Sequence, residues 1–599
     1  MNGMPGKKPL LHRFHAWRYK HISKTTFIYF LAILTGLLAG LGAVLIKNIT
    51  HIIQMLLEGK LVENYRYGFY FLFPIIGLAI TVLIVKYVIR NPLSHGVPMT
   101  LRAISKRKGL LKNYQIFGSL LTAPITVGFG GSVGLESPTV VTGAAISSYL
   151  SRIFHMDQAN RTLLLGCAAA GAMSCIFKAP IAAIIFAVEV FSLDLTLLSL
   201  MPLLLASLSA ILTSYFFFGS DTILPFELKD AFTIADFPYY MILGVVAGLV
   251  SVYFSKAYFK TSKLYKRWDS ALIRLLVAGG SLGILLFLIP PLYGEGFDMI
   301  NELLDGKAVN ALGETFFNDY LDNVWVVIAL LAGLVFFKVI ASAITFAGGG
   351  IGGIFAPVLF MGSVMGNCLA KIINNLGLDG VYISETNFTL VGMTGLLAGV
   401  LHAPLTAIFL IAEITGGYGL FIPLMVTAAI AYGINKYFLP HSVYGMELGL
   451  KGELITHDKD QAVLTLLNVN DVIESNFIRV RPEMTLGEMV KNAVAKSARN
   501  LFPVVNENDE LVGVITLDDI REIMFDATLY DTTTIGSLMH AAPEYIYLES
   551  DPAKVVMRKF QESGAWNLPV IKDGKYHGFI SKSKLLTAYR RMLVSFSRK

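Results

Sequence analysis

The sequence predicts an all-α polytopic membrane domain of broken and re-entrant helices in two repeated halves, followed by a soluble α/β pair of domains. Three observations predict this. Apolar runs of roughly 20 residues, long enough to cross a bilayer, recur from about Thr26 to Phe438. Only 15% of residues are charged and 54% are hydrophobic, with a mean hydropathy of +0.61, whereas a soluble chain carries about 25% charge. After Glu447 the composition turns polar, and a strand, turn, strand and helix pattern occurs twice.

The elements follow in order. Residues 1–24 form a basic arm with Lys7, Lys8, Arg13, Arg18, Lys20 and Lys24. Basic residues ahead of a first span place it in the cytoplasm. Nucleic-acid binding is the other reading of such an arm; topology explains it, and no nucleic-acid partner is expected. The first apolar run starts late, is too long and lacks a small-residue cleavage site, so no cleavable signal peptide is expected. Cys167, Cys175 and Cys368 fall in apolar segments without metal-ligand spacing and suggest no disulfide framework.

Spans are expected at Thr26 to Ile46, with the close-packing face Gly36-Leu37-Leu38-Ala39-Gly40, and at Tyr70 to Ile89. Asn91 to Pro98 has two prolines, a glycine and no helical period. It reads as an aqueous loop or as the start of a re-entrant segment, with Arg102, Lys106, Arg107 and Lys108 at its wet end. A span from Tyr114 to Gly128 leads into Gly130-Gly131-Ser132-Val133-Gly134-Leu135-Glu136-Ser137-Pro138, after which a helix runs to about Phe154. Gly166 to Val190 is small-residue-rich and broken at Lys178-Ala179-Pro180. Lys178 either concentrates anions near an entrance or snorkels to the interface. Further spans follow at Leu195–Phe218, Tyr239–Phe259, Ala271–Ile289, Val324–Phe346, Leu390–Thr415 and Leu420–Leu439, with a glycine-rich break from Ala347 to Pro357.

Two motifs occur twice in the same order. Lys178-Ala179-Pro180-Ile181 through Glu189 matches His402-Ala403-Pro404-Leu405 through Glu413. Gly134 to Pro138 matches Gly353-Ile354-Phe355-Ala356-Pro357. Two matches at nearly one offset indicate an internal duplication, and paired broken segments point to a central binding site. The sequence alone leaves open whether the halves are inverted.

Each glycine-and-proline stretch reads as a helix N-terminus with free N–H groups. Such an end carries roughly half a positive charge and is a ready anion site. Glu136 is then a tethered anion: ionised, it competes with a free anion for the same amides; protonated, it leaves. This ties occupancy to pH and to proton movement. A structural carboxylate paired with a buried Arg or Lys is the alternative, and no basic residue lies in its stretch. Two remote readings come from other classes. Gly130-Gly131-Ser132-Val133-Gly134 fits the G-x-S-x-G of serine hydrolases, which needs an α/β sheet and His and acid partners. A cation transporter would need a carboxylate cluster, and Glu136, Glu189 and Glu413 are few for one.

These residues resemble the CLC chloride channel and transporter family. Gly134 to Pro138 is similar to its G-(K/R)-E-G-P signature, Gly353 to Pro357 matches G-x-F-x-P, and Ser94-His95-Gly96-Val97-Pro98 resembles G-S-G-I-P. Tyr444 stands where the family's pore tyrosine follows the last span. The resemblance implies a homodimer in the lipid bilayer, with one pore in each subunit and two inverted halves in a transport domain at residues 25–446. It implies chloride and protons as partners and no enzymatic activity. Glu136 would be the gate, and chloride would be bound by His95, Gly96, Gly134, Leu135, Ile354, Phe355 and Tyr444. Leu135 and Ser137 depart from the signature's basic residue and glycine. His95 replaces an anion-coordinating serine. Val190, beside Glu189, stands where proton-coupled members carry an internal glutamate, as it does in channel-type members. The implied function is a passive, voltage- or pH-gated chloride channel, with proton-coupled Cl−/H+ exchange as the alternative. The implied location is the cell (inner) membrane, with the N-terminus and soluble domains cytoplasmic.

After a linker at 447–467, residues 468–527 and 528–592 resemble tandem CBS domains. Leu501-Phe502-Pro503-Val504-Val505 with Leu511 to Thr516 is echoed by Asn567-Leu568-Pro569-Val570-Ile571 with His577 to Ser581. The resemblance implies an adenine nucleotide held through Thr516 and Asp519. The second copy has Ser581 and Lys584, so one intact nucleotide site is expected at most; a purely structural dimerisation module is the alternative. No other cofactor is implied.

Overall fold

The computed structural model describes residues 10–57, 66–93, 96–193, 196–219, 232–313, 317–376, 382–415, 417–450 and 467–597, and the single residues 224, 230, 315 and 464. His95 lies outside the described residues, as do the first nine residues of the arm and most of the linker. The chain divides into two compact units, Met1–Glu453 and Leu454–Lys599.

In the first unit, helices α1 (Leu10–His21), α2 (Lys24–Leu57) and α3 (Arg66–Leu83) precede the short α4 (Gly96–Lys106). Then come α5 (Tyr114–Gly128), α6 (Glu136–Ile153), α7 (Gln158–Phe177), α8 (Pro180–Phe191) and α9 (Leu197–Phe218). The second half has α10 (Phe237–Tyr265), α11 (Ala271–Leu288), α12 (Phe297–Leu304), α13 (Ala308–Leu312), α14 (Val324–Ala347), α15 (Phe355–Asn375), α16 (Glu385–Leu401), α17 (Pro404–Ile414), α18 (Phe421–Phe438) and α19 (Val443–Leu450). Among the described residues, nine helical stretches are long and apolar enough to cross a membrane. Part of the basic arm is itself helical: α1 packs back on the unit, with His15 Nε2 3.1 Å from the Ile153 carbonyl, and Lys24 just beyond it pairs with Asp157 at 2.7 Å.

The expected span 390–415 is two helices. Both breaks, at Lys178 and His402, are single residues in the left-handed region (φ 53° and 55°), each followed by Ala and a helix-starting Pro. A left-handed residue ends a helix and proline at the first position starts the next, so one short motif breaks both halves. Proline does not start the helices at the central stretches. α6 begins at Glu136 and α15 at Phe355, two residues before their prolines.

The halves are inverted. Glu189, near the end of α8, accepts from the Leu405 and Thr406 N–H groups (3.0 and 2.8 Å) and the Thr406 hydroxyl (2.6 Å) at the start of α17. Glu413, near the end of α17, accepts from the Ile181 and Ala182 N–H groups (3.1 and 2.8 Å) at the start of α8. Each helix end meets the other's beginning, so the two equivalent helices run antiparallel.

In the second unit, β1 (Leu501–Val505) and β2 (Leu511–Thr516) form one antiparallel hairpin, and β4 (Asn567–Lys572) and β5 (Lys575–Ser581) form the other, with β3 (Ile546–Tyr547) parallel to β4. The opening segment of each copy closes the sheet of the other. Glu474 pairs with Phe579, and His540 pairs with Val514. Gly513 and Gly578 admit this approach: a Cβ on either would meet the His540 or Glu474 carbonyl oxygen at 3.1 or 2.6 Å.

Candidate anion site

The two glycine-rich stretches bond to one another. Gly134 N–H donates to the Gly353 carbonyl at 2.8 Å, and Gly353 N–H donates back to the Gly134 carbonyl at 2.8 Å. Beside this bridge one further pair of bonds is matched. Ser132 N–H donates to Thr345 Oγ1 (3.2 Å) as Ile351 N–H does to Thr126 Oγ1 (3.1 Å). The first turns of α6 and α15 therefore face one another across the bridge. Glycine is needed for contact rather than conformation. A Cβ on Gly134 would lie 2.1 Å from Glu136 Oε2, and one on Gly353 2.6 Å from Ser137 Oγ.

Glu136 is 2% exposed, and neither carboxylate oxygen has a hydrogen-bond partner among the described residues. The backbone N–H groups of Glu136 itself and of Ala356, in the first turn of α15, act on it. A buried carboxylate at the meeting of two positive helix ends occupies the position a free anion would take. The equivalent residue, Phe355, is wedged between Phe177 (ring centroids 5.2 Å) and Phe186 (6.3 Å).

The amides of two expected chloride ligands are engaged within the chain. The Gly134 N–H is spent on the bridge, and the Leu135 N–H donates to Glu295 Oε1 at 3.0 Å. Among the described residues, the amides of Ser137 in α6 and of Ile354 and Phe355 at α15 have no acceptor. The structure brings Gly96 and Tyr444 to the same place. A Cβ on Gly96 would strike Ser137 Cβ at 2.3 Å, and the Tyr444 hydroxyl is 3.4 Å from Ser137 Oγ.

Sequence reasoning missed Glu295 and Lys338. Lys338 is fully buried in α14; its Nζ donates to the Leu292 and Gly294 carbonyls (3.2 and 3.0 Å) and lies 4.5 Å over the Phe360 ring. It acts electrostatically on Glu295 and makes no hydrogen bond to Glu136, so the paired-carboxylate alternative has no partner here. A lone lysine in Phe336-Phe337-Lys338-Val339 was a readable signal, since an ionisable residue in a span is a functional hypothesis by default. Glu295, between Gly294 and Gly296, carried none.

Val190 is half-buried near the end of α8, and Glu189 beside it is committed to the start of α17. Lys178 Nζ donates to the Gly219 carbonyl at the end of α9 (2.8 Å) and lies near the Tyr215 ring. Ser132 Oγ donates to the Leu292 carbonyl at 2.7 Å, in a helix–loop–helix instead of the strand–turn–helix a serine nucleophile needs. Glu189 and Glu413 serve backbone amides, away from any cation cluster with Glu136.

In the second unit, a cleft of about 200 Å³ is lined by Thr516, His540, Trp566 and Asn567 among others. Thr516 caps the helix that follows β2: its N–H and hydroxyl both bond Asp519 Oδ2 (2.6 and 2.7 Å), and His540 Nδ1 is 3.5 Å from the same oxygen. The equivalent place in the other copy contains its own anion. Glu474 is held by Arg499 (2.5 Å), Ser581 Oγ (3.3 Å) and Lys584 Nζ (3.8 Å).

The comparisons agree with this architecture. The family model described as "voltage gated chloride channel" matches residues 76–436, and the CBS domain model matches 469–526 and 535–591. The chloride channel protein CLC-f of Arabidopsis thaliana is 27% identical over 80% of this chain and 68% of its own. The H(+)/Cl(−) exchange transporter ClcA of Vibrio cholerae is 27% identical over 50% of this chain and 62% of its own. Among solved structures, a slow cyanobacterial Cl−/H+ antiporter superposes with a TM-score of 0.60 at 22% identity, covering 71% of this chain and 97% of that one. A eukaryotic CLC transporter superposes with a TM-score of 0.59 at 18% identity, covering 96% and 98%. At these identities the two structures speak for the fold alone. With a family match across both inverted halves and two CBS matches behind it, the chain belongs to the voltage-gated chloride channel (CLC) family.

Proposed function

We propose that the chain is a chloride transport protein whose path runs between the first turns of α6 and α15 and is gated by Glu136. The observation that carries this is the buried, unpartnered Glu136 carboxylate at the meeting of two helix N-termini. Ile354, Phe355 and the Tyr444 hydroxyl hold the central anion, with Gly96 and His95 at its edge. Transport is passive: Val190 carries no proton, and the neighbouring Glu189 spends its carboxylate on α17. The protein works as a homodimer in the cell membrane, with its basic arm and CBS pair in the cytoplasm. The curated names of relatives such as ClcA favour a second reading, proton-coupled exchange. Chloride-loaded liposomes containing the protein, shunted with a potassium ionophore, separate the readings. Chloride leaves without stoichiometric proton uptake if transport is passive. Uphill proton movement driven by chloride overturns that in favour of exchange, and absence of chloride flux overturns the anion reading.

The CBS pair binds one adenine nucleotide, in the Thr516 cleft. Asp519 Oδ1 remains for a ribose, and Trp566 offers a ring for the base. Glu474 occupies the other site and repels a phosphate. Titration of the full chain with ATP, ADP and AMP yields one site per chain. Asp519→Ala weakens it about tenfold or more, the scale of a hydrogen bond to a charged group, and Ser581→Ala leaves it unchanged. Two equivalent sites per chain would contradict this.

A further inference from the structure

The hydrogen bonding beside the gate is one acceptor short. Ser137 and Tyr444 are 3% and 4% exposed. Their hydroxyls have one hydrogen bond between them, at 3.4 Å. That is long against about 2.5–3.0 Å for a good O–H···O bond. Whichever hydroxyl donates, the proton of the other finds no acceptor among the described residues. Buried hydroxyl donors are normally satisfied, and an exception marks a missing partner. The surroundings say what that partner is. Ser137 Oγ lies against Gly353, next to the open amides of Ile354 and Phe355, and Ser137 abuts Gly96 at the start of α4. Three helix N-termini meet there, beside the unpartnered Glu136 carboxylate. A species that only accepts hydrogen bonds and carries negative charge satisfies every one of these donors.

We propose that the Ser137 side-chain hydroxyl is a ligand of the transported anion, closing with the Tyr444 hydroxyl as a two-donor clamp next to the gate. The proposal rests on the anion-path reading. It makes position 137, where the signature has glycine, a determinant of chloride affinity in this chain. The test is chloride binding to the purified full-length protein by titration calorimetry, with flux in liposomes alongside, for Ser137→Ala, Ser137→Gly, Ser137→Thr and Glu136→Ala. Ser137→Ala and Ser137→Gly each weaken chloride binding about tenfold or more, as loss of a hydrogen bond to a charged group does, and Ser137→Thr stays within about threefold of the native chain. The proposal is overturned if Ser137→Ala binds chloride as tightly as the native chain. It is also overturned if Ser137→Thr loses as much as Ser137→Ala, since packing and not the hydroxyl would then be the cause. In both cases Glu136→Ala still alters flux and its pH dependence. If Glu136→Ala leaves both unchanged, it is the anion-path reading that fails.

Discussion

Glu136→Gln and Glu136→Ala are expected to conduct chloride at a rate that no longer depends on pH. On the proposed reading, the carboxylate between the first turns of α6 and α15 competes with chloride for their amides when it is ionised. Falling pH protonates it, removes its charge and releases the position, so flux rises as pH falls. Above the midpoint the protonated fraction falls about tenfold per pH unit, and flux falls with it. Glutamine imitates the protonated state and alanine removes the side chain, so both hold flux at its acid-limit value from pH 5 to 8. Chloride efflux from liposomes across that range checks this. A variant that keeps the native pH slope would show that another group is the gate.

The largest effect on stability is expected from Glu189→Ala. Pro404 has no N–H, so Leu405 and Thr406 are the first donors of α17, and one carboxylate satisfies both along with the Thr406 hydroxyl. Orphaned buried donors cost roughly 1–3 kcal/mol each, giving about 2–4 kcal/mol for this half-buried site. Glu413→Ala removes two bonds instead of three and is expected to cost less. Glu189→Gln keeps an acceptor oxygen and falls between Glu189→Ala and the native chain. Thermal unfolding midpoints in detergent should therefore rise in the order Glu189→Ala, Glu413→Ala, native. An unchanged midpoint for Glu189→Ala would refute the capping role.

What could be read from the linear chain was what repeats or breaks a pattern. The duplicated Ala-Pro breaks, the paired Gly–Pro stretches and the lone carboxylate at 136 all interrupt apolar sequence. They located both helix ends that meet at the centre. What could not be read depends on distances across the fold. Gly134 and Leu135 looked like amide donors because they precede a helix. Their acceptors, Gly353 and Glu295, come from the other half. Glu189 reads in the sequence only as the end of a repeated motif, and its place against α17 shows a cap. The inversion itself rests on reciprocal bonds, Glu189 to the start of α17 and Glu413 to the start of α8. No spacing within a single segment encodes them.

The Gly134–Gly353 bridge also sets what kind of motion can open the path. Each glycine spends its N–H and its carbonyl on the other, so separating the two helix ends would break both bonds at once. The backbone at the bridge behaves as a rigid frame. Opening is then left to rotation of one side chain about its own bonds. Such a rotamer change in the gate itself is a fast, small-amplitude event, and it leaves the frame the same whether the path is shut or conducting.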